Sequence, residues 1–145
     1  MIGPLATLAI ISAIMFTTWA LYVSLVEHPA RLQSGSGPGR AQFQASYRRA
    51  APWQASFALL ACIGGAITGY LSGRWPWLVG ADGHGAVVPF TLIAIKPTNQ
   101  ALLGATPLQD TETRLLLERW GRLHVVRTLL GAVAVLAFLF GLGHH

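Results

Sequence analysis

Residues 2–26 and 50–73 contain no charged side chain, and each run exceeds the roughly 20 residues a helix needs to cross the hydrocarbon of a bilayer. No other feature limits the fold so strongly, because in lipid a backbone must satisfy its own polar groups and does so as a helix. The composition agrees. The chain is 53% hydrophobic and only 10% charged, with a mean hydropathy of +0.52, well outside the range of soluble domains.

Two further spans follow less directly. Between Asp82 and Asp110 the only charge is Lys96, but the clean apolar stretch 86–95 covers only about half a bilayer at roughly 1.5 Å per residue. The helix must therefore continue through KPTNQALL. Residues 128–143 are likewise too short for a comfortable crossing, so the first turns of the last span must include His124 and Arg127. The expected fold is an all-α membrane protein, one four-helix transmembrane bundle with spans at about 2–26, 52–73, 83–103 and 120–142. The first span lacks a basic start and an A-x-A cleavage signature, and it reads as a retained anchor. Cys62 has no partner for an intramolecular disulfide and reads as packing; His144 and His145 are given no role.

Arg31, Arg40, Arg48 and Arg49 fall after the first span, and Lys96, Arg114, Arg119, Arg122 and Arg127 surround the third connection, leaving Arg74 alone at the other end. The positive-inside rule then puts both basic connections in the cytoplasm and both termini outside, as in a bacterial inner membrane. Topology and anionic headgroups account for the net charge of +5 without nucleic acid as a partner.

Within the connections, SGSGPGR predicts a flexible loop in 27–51, Pro29 turns the chain at His28, and Pro52 suits the first turn of the second helix. Asp110 or Thr111 would cap a last helix that starts before the membrane does. Ala61, Gly65, Gly69 and Gly73 form a small-residue stripe for close helix approach. Trp53, Trp75 and Trp77 read as interfacial belt residues, and His84 as a solvated loop residue.

The polar residues expected near the inner boundary are Glu27, His28, Lys96, Asn99, Trp120, His124 and Arg127, from three separate segments. Trp120, His124 and Arg127 are spaced by four and three residues and share one helix face, while a kink at Pro97 would aim Asn99 inward. Polar groups at that depth are costly unless paired or facing a cavity, which marks them as functional candidates. Lys96, Arg31 and Arg122 can instead snorkel to headgroups, and Glu27 can pair with Arg127 or Arg31. His28, His124 and Glu27 are candidate ligands for a transition metal, and His28 with His124 for haem, although a regular helix would not point the adjacent Glu27 and His28 inward together.

LVEHPARL, VPFTLIAIKPTNQALL and LLERWGRLHVVRT together resemble the anthrone oxygenase-like family of small membrane proteins, on the residues Glu27, Pro29, Pro97, Asn99, Trp120, His124 and Arg127. The Gly-rich insertion after the first span is not part of that pattern. Most members are bacterial proteins of unknown function, and a few fungal ones oxidise an anthrone to an anthraquinone. The resemblance implies a monooxygenase-like activity on a hydrophobic aromatic substrate with O₂ and no required cofactor, a metal or haem being the alternative. The catalytic residues would then be His124 as base, Arg127 as counter-charge to an enolate and Glu27 as orienting group. Asn99, Trp120, His28 and Lys96 would bind substrate. Two other readings stay open: a non-catalytic module holding a quinone, isoprenoid or lipid headgroup between Arg127, Lys96 and Trp120, or a structural partner in a membrane complex or homo-oligomer.

Overall fold

The computed structural model describes residues 3–143; His144, His145 and the first two residues lie outside that range. Four helices, each long and apolar enough to cross a membrane, account for almost all of it: α1 Pro4–Gln33, α2 Ser36–Ser72, α3 Trp75–Leu103 and α4 Asp110–Gly143. They pack as the expected bundle, with α1 against α2 and α4, and α3 against α2 and α4. Links of a few residues join them. Gly35 (φ 90°) and Gly73 (φ 69°) make the two tightest turns in backbone geometry that a Cβ disfavours.

Three expectations about local structure fail. SGSGPGR is no flexible loop, because helix α2 begins at Ser36 and carries Pro52 in its interior. Tertiary contacts override the local breakers there: Phe43 enters the core, and Arg40 donates to the carbonyls of Leu102, Gly104 and Thr106 at the end of α3. Pro29 does not turn the chain at His28 either. Residues Val23–Glu27 form a π-helical turn, which widens the helix just before the proline and accommodates the missing N–H and the clash of its ring with the preceding turn. The same device recurs in α3, where the π-helical turn Thr91–Ile95 precedes Pro97. Finally, the stretch read as a solvated loop around His84 is helical, because α3 starts at Trp75 and runs through GADGHG.

The core is made of small residues facing aromatic ones. Ala6, Ala9, Ala13 and Ala61 surround Trp77 and Phe138, whose rings lie 5.2 Å apart. Gly65 and Gly80 each sit where an added Cβ would meet the Phe138 ring, so the small-residue stripe admits an aromatic wedge as well as a close helix. Gly73 is not part of the stripe; it ends α2. Trp77 is 2% exposed and belongs to the core, whereas Trp53 and Trp75 are largely exposed as belt residues should be. His84 is the sharpest reversal. It is completely buried, stacked on Phe138 at 5.9 Å and edge-on to Phe16 at 5.5 Å, with Nδ1 3.2 Å from the Gly80 carbonyl.

Candidate functional site

At the end of the bundle that carries the α1–α2 and α3–α4 connections, polar side chains from all four helices converge around the Trp120 indole. Its Nε1 donates to Asn99 Oδ1 at 2.9 Å, and the Asn99 amide donates to the Tyr47 hydroxyl at 2.8 Å. Both ends of the Asn99 amide are thus spent on positioning the two aromatics. The π-helical turn before Pro97 sets that register, since Thr98 and Asn99 follow it into the core.

Arg31 lies beside this indole. The side chain is 3% exposed, and its guanidinium stands 5.3 Å from the ring centres of both Trp120 and Phe43. Charge balance comes from Glu27, whose Oε1 accepts from Arg31 Nη2 at 2.6 Å, from Gln42 at 2.9 Å and from the Ser46 hydroxyl. A second Arg31 hydrogen bond runs to Gln42. The arrangement sits on one turn of α1 and, through Gln42 and Ser46, holds α1 against the N-terminal turns of α2. It also explains how Glu27 and His28 both turn inward: the π-helical turn that ends at Glu27 breaks the regular register.

His124 is 2% exposed. Its ring stacks on Trp120 at 4.6 Å and 25°, and its Nδ1 lies 3.0 Å from Ser24 Oγ. Ser24 Oγ is 3.1 Å from Thr128 Oγ1, and the Thr128 hydroxyl donates to the His124 carbonyl at 2.9 Å. One turn further along α4, Arg127 donates to Gln54 and lies 5.0 Å from the centre of the Phe16 ring. Its Nε is buried without a partner, and no carboxylate pairs with it among the described residues.

Two cavities meet at His124 and Trp120. The inner one, about 30 Å³, touches Arg31, Tyr47, Gln54 and Arg127 and is the size of a water molecule. The outer one, about 440 Å³, lies between α1 and α4, is lined by Ser24, His28, Leu32, Trp120, His124 and Val125, and opens on the side of the bundle.

Of the residues singled out in the sequence, Glu27, His28, Asn99, Trp120, His124 and Arg127 are brought together, and Lys96 is not: its side chain faces outward. Glu27 neither orients His124 nor balances Arg127, being held by Arg31, Gln42 and Ser46. Arg31 does not snorkel. The proposed metal ligands fail on chemistry as well as on number. His28 Nδ1 faces the Arg31 guanidinium at 3.4 Å, and its Nε2 abuts Gly121, where an added Cβ would collide with the ring. His28 Nδ1 is thus engaged by a cation, and no three His, Cys, Asp or Glu residues gather to hold an ion among the described residues. The sequence reading missed Ser24, Tyr47, Gln54 and Thr128; it named Arg31 as one of two partners for Glu27, the pairing that forms, but did not place it in the site. The only signal for Thr128 was its position four residues after His124, which places a hydroxyl over the same face.

A family model described as anthrone oxygenase matches residues 43–137, most of the chain. Asn99, Trp120, His124 and Arg127 fall inside the match; Ser24, Glu27, His28 and Arg31 precede it. No curated protein and no solved structure matches the chain.

Proposed function

The chain belongs to the anthrone oxygenase family, and on that premise we propose that it is an integral membrane monooxygenase acting on a flat hydrophobic substrate with an acidic carbon between aromatic rings. Removing a proton from such a carbon gives an electron-rich enolate that O₂ can oxidise. Addition of O₂ and of a proton forms a hydroperoxide, and loss of water leaves a carbonyl, so that CH₂ and O₂ become C=O and H₂O. Such chemistry asks the protein for a base, a counter-charge and a pocket poor in water.

The observation that carries this reading is the hydroxyl chain behind His124. Only one arrangement of hydrogens satisfies all three contacts. Thr128 donates to the His124 carbonyl, Ser24 therefore donates to Thr128, and Ser24 accepts from His124 Nδ1–H. The Nε2 lone pair is then left free, without a hydrogen bond from the protein, on a residue that lines both cavities. His124 acts as the base, and Trp120 supports its ring. Arg127, buried with no carboxylate to neutralise it, supplies positive charge toward the enolate in a medium where charge is weakly screened. The Arg31–Glu27 pair keeps the neighbouring wall electrically balanced. The basic connections face the cytoplasm, so the outer cavity opens near the inner leaflet.

The test is oxygen consumption by the purified protein in lipid with an anthrone as substrate. His124→Ala is expected to lower kcat/KM by about 10²–10⁴ while leaving the thermal unfolding midpoint close to that of the parent. Undiminished turnover in that variant would remove the base and with it the mechanism.

A further inference from the structure

At the opposite end of the bundle, far from His124, a cavity of about 540 Å³ is bounded by the start of α1, the end of α2, Leu142 of α4, Arg74 just before α3 and Trp77 in the first turn of α3. Two nitrogen donors there have no partner. Trp77 is 2% exposed and its Nε1 is buried without a hydrogen bond, as is Arg74 Nη2. The Trp77 indole edge packs against Gly141, where an added Cβ would come within 2.9 Å of Nε1, so no side chain from α4 reaches that nitrogen. Unmatched buried donors are rare and costly, and a cationic one most of all.

The remaining lining narrows what could satisfy them. The hydroxyls of Thr68 and Ser72 are spent on carbonyls of their own helix, Gly64 and Thr68 respectively, so they offer no competing donors. Among the described residues no Asp or Glu lines the cavity, and Pro4, Leu5, Ala6, Leu71 and Leu142 make its wall apolar. The positive end of α3 begins at Trp75, directly after Arg74. Apolar wall, unpaired guanidinium and unpaired indole N–H together call for a ligand with a hydrocarbon body and an oxyanion head.

We propose that this cavity binds a net-anionic lipid, its head oxyanion accepting from Arg74 Nη2 and Trp77 Nε1 and its acyl chain lying along Leu5 and Leu71. Arg74 is the one Lys or Arg at this end of the bundle among the described residues, where topology alone gives a cation no purpose. The site is independent of the oxygenase reading, and its test measures no turnover.

The protein purified in a neutral detergent is titrated with phosphatidylglycerol, phosphatidylcholine, oleate or inorganic phosphate, and bound lipid is counted by native mass spectrometry alongside the unfolding midpoint. The expected result is one phosphatidylglycerol or oleate retained per chain with a raised midpoint, and little response to phosphatidylcholine. Arg74→Gln should weaken that binding about tenfold, since it removes a charge-assisted hydrogen bond. Trp77→Phe should weaken it less, and Arg119→Gln, an exposed arginine at the other end, not at all. Should Trp77→Phe fail to fold, Arg74→Gln decides alone. Equal binding of phosphatidylcholine, a response to inorganic phosphate without lipid, or full affinity in Arg74→Gln would each overturn the proposal.

Discussion

Arg31 and Arg127 show how differently two buried cations can be housed in one site. Arg31 has a carboxylate, a glutamine and two aromatic rings around it, whereas Arg127 has one glutamine, one aromatic ring and an unpartnered Nε. The first arrangement is structural, so breaking it should cost stability. Glu27→Gln strands the Arg31 charge and is expected to lower unfolding stability in detergent by about 3 kcal/mol, with Arg31→Met restoring part of it in the double variant. An additive double-variant cycle would show that the pair is not coupled. Ser24→Ala tests the other half of the site. Without the hydroxyl only the longer contact of Thr128 Oγ1, at 3.5 Å, is left to hold the proton on His124 Nδ1, and oxygenase turnover should fall about tenfold with little change in unfolding, while ¹⁵N chemical shifts of the imidazole move toward a mixture of tautomers. An unchanged tautomer in that variant would leave the hydroxyl chain without a role. The sequence exposed Asn99, Trp120, His124 and Arg127 because polar groups inside apolar helices stand out by cost alone. Arg31 stayed hidden because a basic residue near a helix end satisfies that same criterion by reaching water, and only the fold of residues 36–51 over it closes that route.

At the scale of the helices, the spans were legible where charge was missing and illegible where glycine and proline stood in for loops. SGSGPGR and GADGHG carry the punctuation of water-exposed turns, yet both are helical. In each case a neighbouring element pays the conformational cost: Arg40 and Gln44 of α2 bind the last carbonyls of α3, and Gly80 and Gly83 of α3 lie against Phe138 and Ala134 of α4. His84 was misread for the same reason, since a loop would have exposed it. Arg40→Ala is therefore expected to free the carbonyls of Gly104 and Thr106 and to destabilise the α3–α4 connection by about 1–3 kcal/mol. Hydrogen exchange should report it as faster exchange of the amides from 100 to 109 and of the first turns of α2, with α4 beyond Leu117 unaffected. Protection unchanged in those turns would mean that the arginine does not hold them. The paired π-helical turns before Pro29 and Pro97 could not be read from composition, because a proline signals a break and the wider turn is its accommodation.

For the molecule as a whole, the position of the outer cavity bears on how the substrate of the proposed oxygenase would arrive. It lies on the flank of the bundle between α1 and α4 and opens sideways, with the strongly exposed apolar side chains Leu25 and Val126 close by in sequence on the two helices that frame it. A flat aromatic molecule that partitions into lipid meets this opening from within the bilayer, where its local concentration exceeds that in water. Kinetics measured against total substrate should therefore depend on how much membrane is present. In proteoliposomes, raising the lipid at fixed protein dilutes substrate within the bilayer, so the apparent KM in bulk units is expected to rise in proportion to lipid, while KM expressed as mole fraction in lipid stays constant. Val125→Trp, at the rim of the cavity, should raise that mole-fraction KM severalfold and leave His124 and its hydroxyl partners in place. An unchanged mole-fraction KM in Val125→Trp would instead mean that substrate comes from the aqueous side, past Glu118 and Arg122, and that the lateral opening serves another purpose.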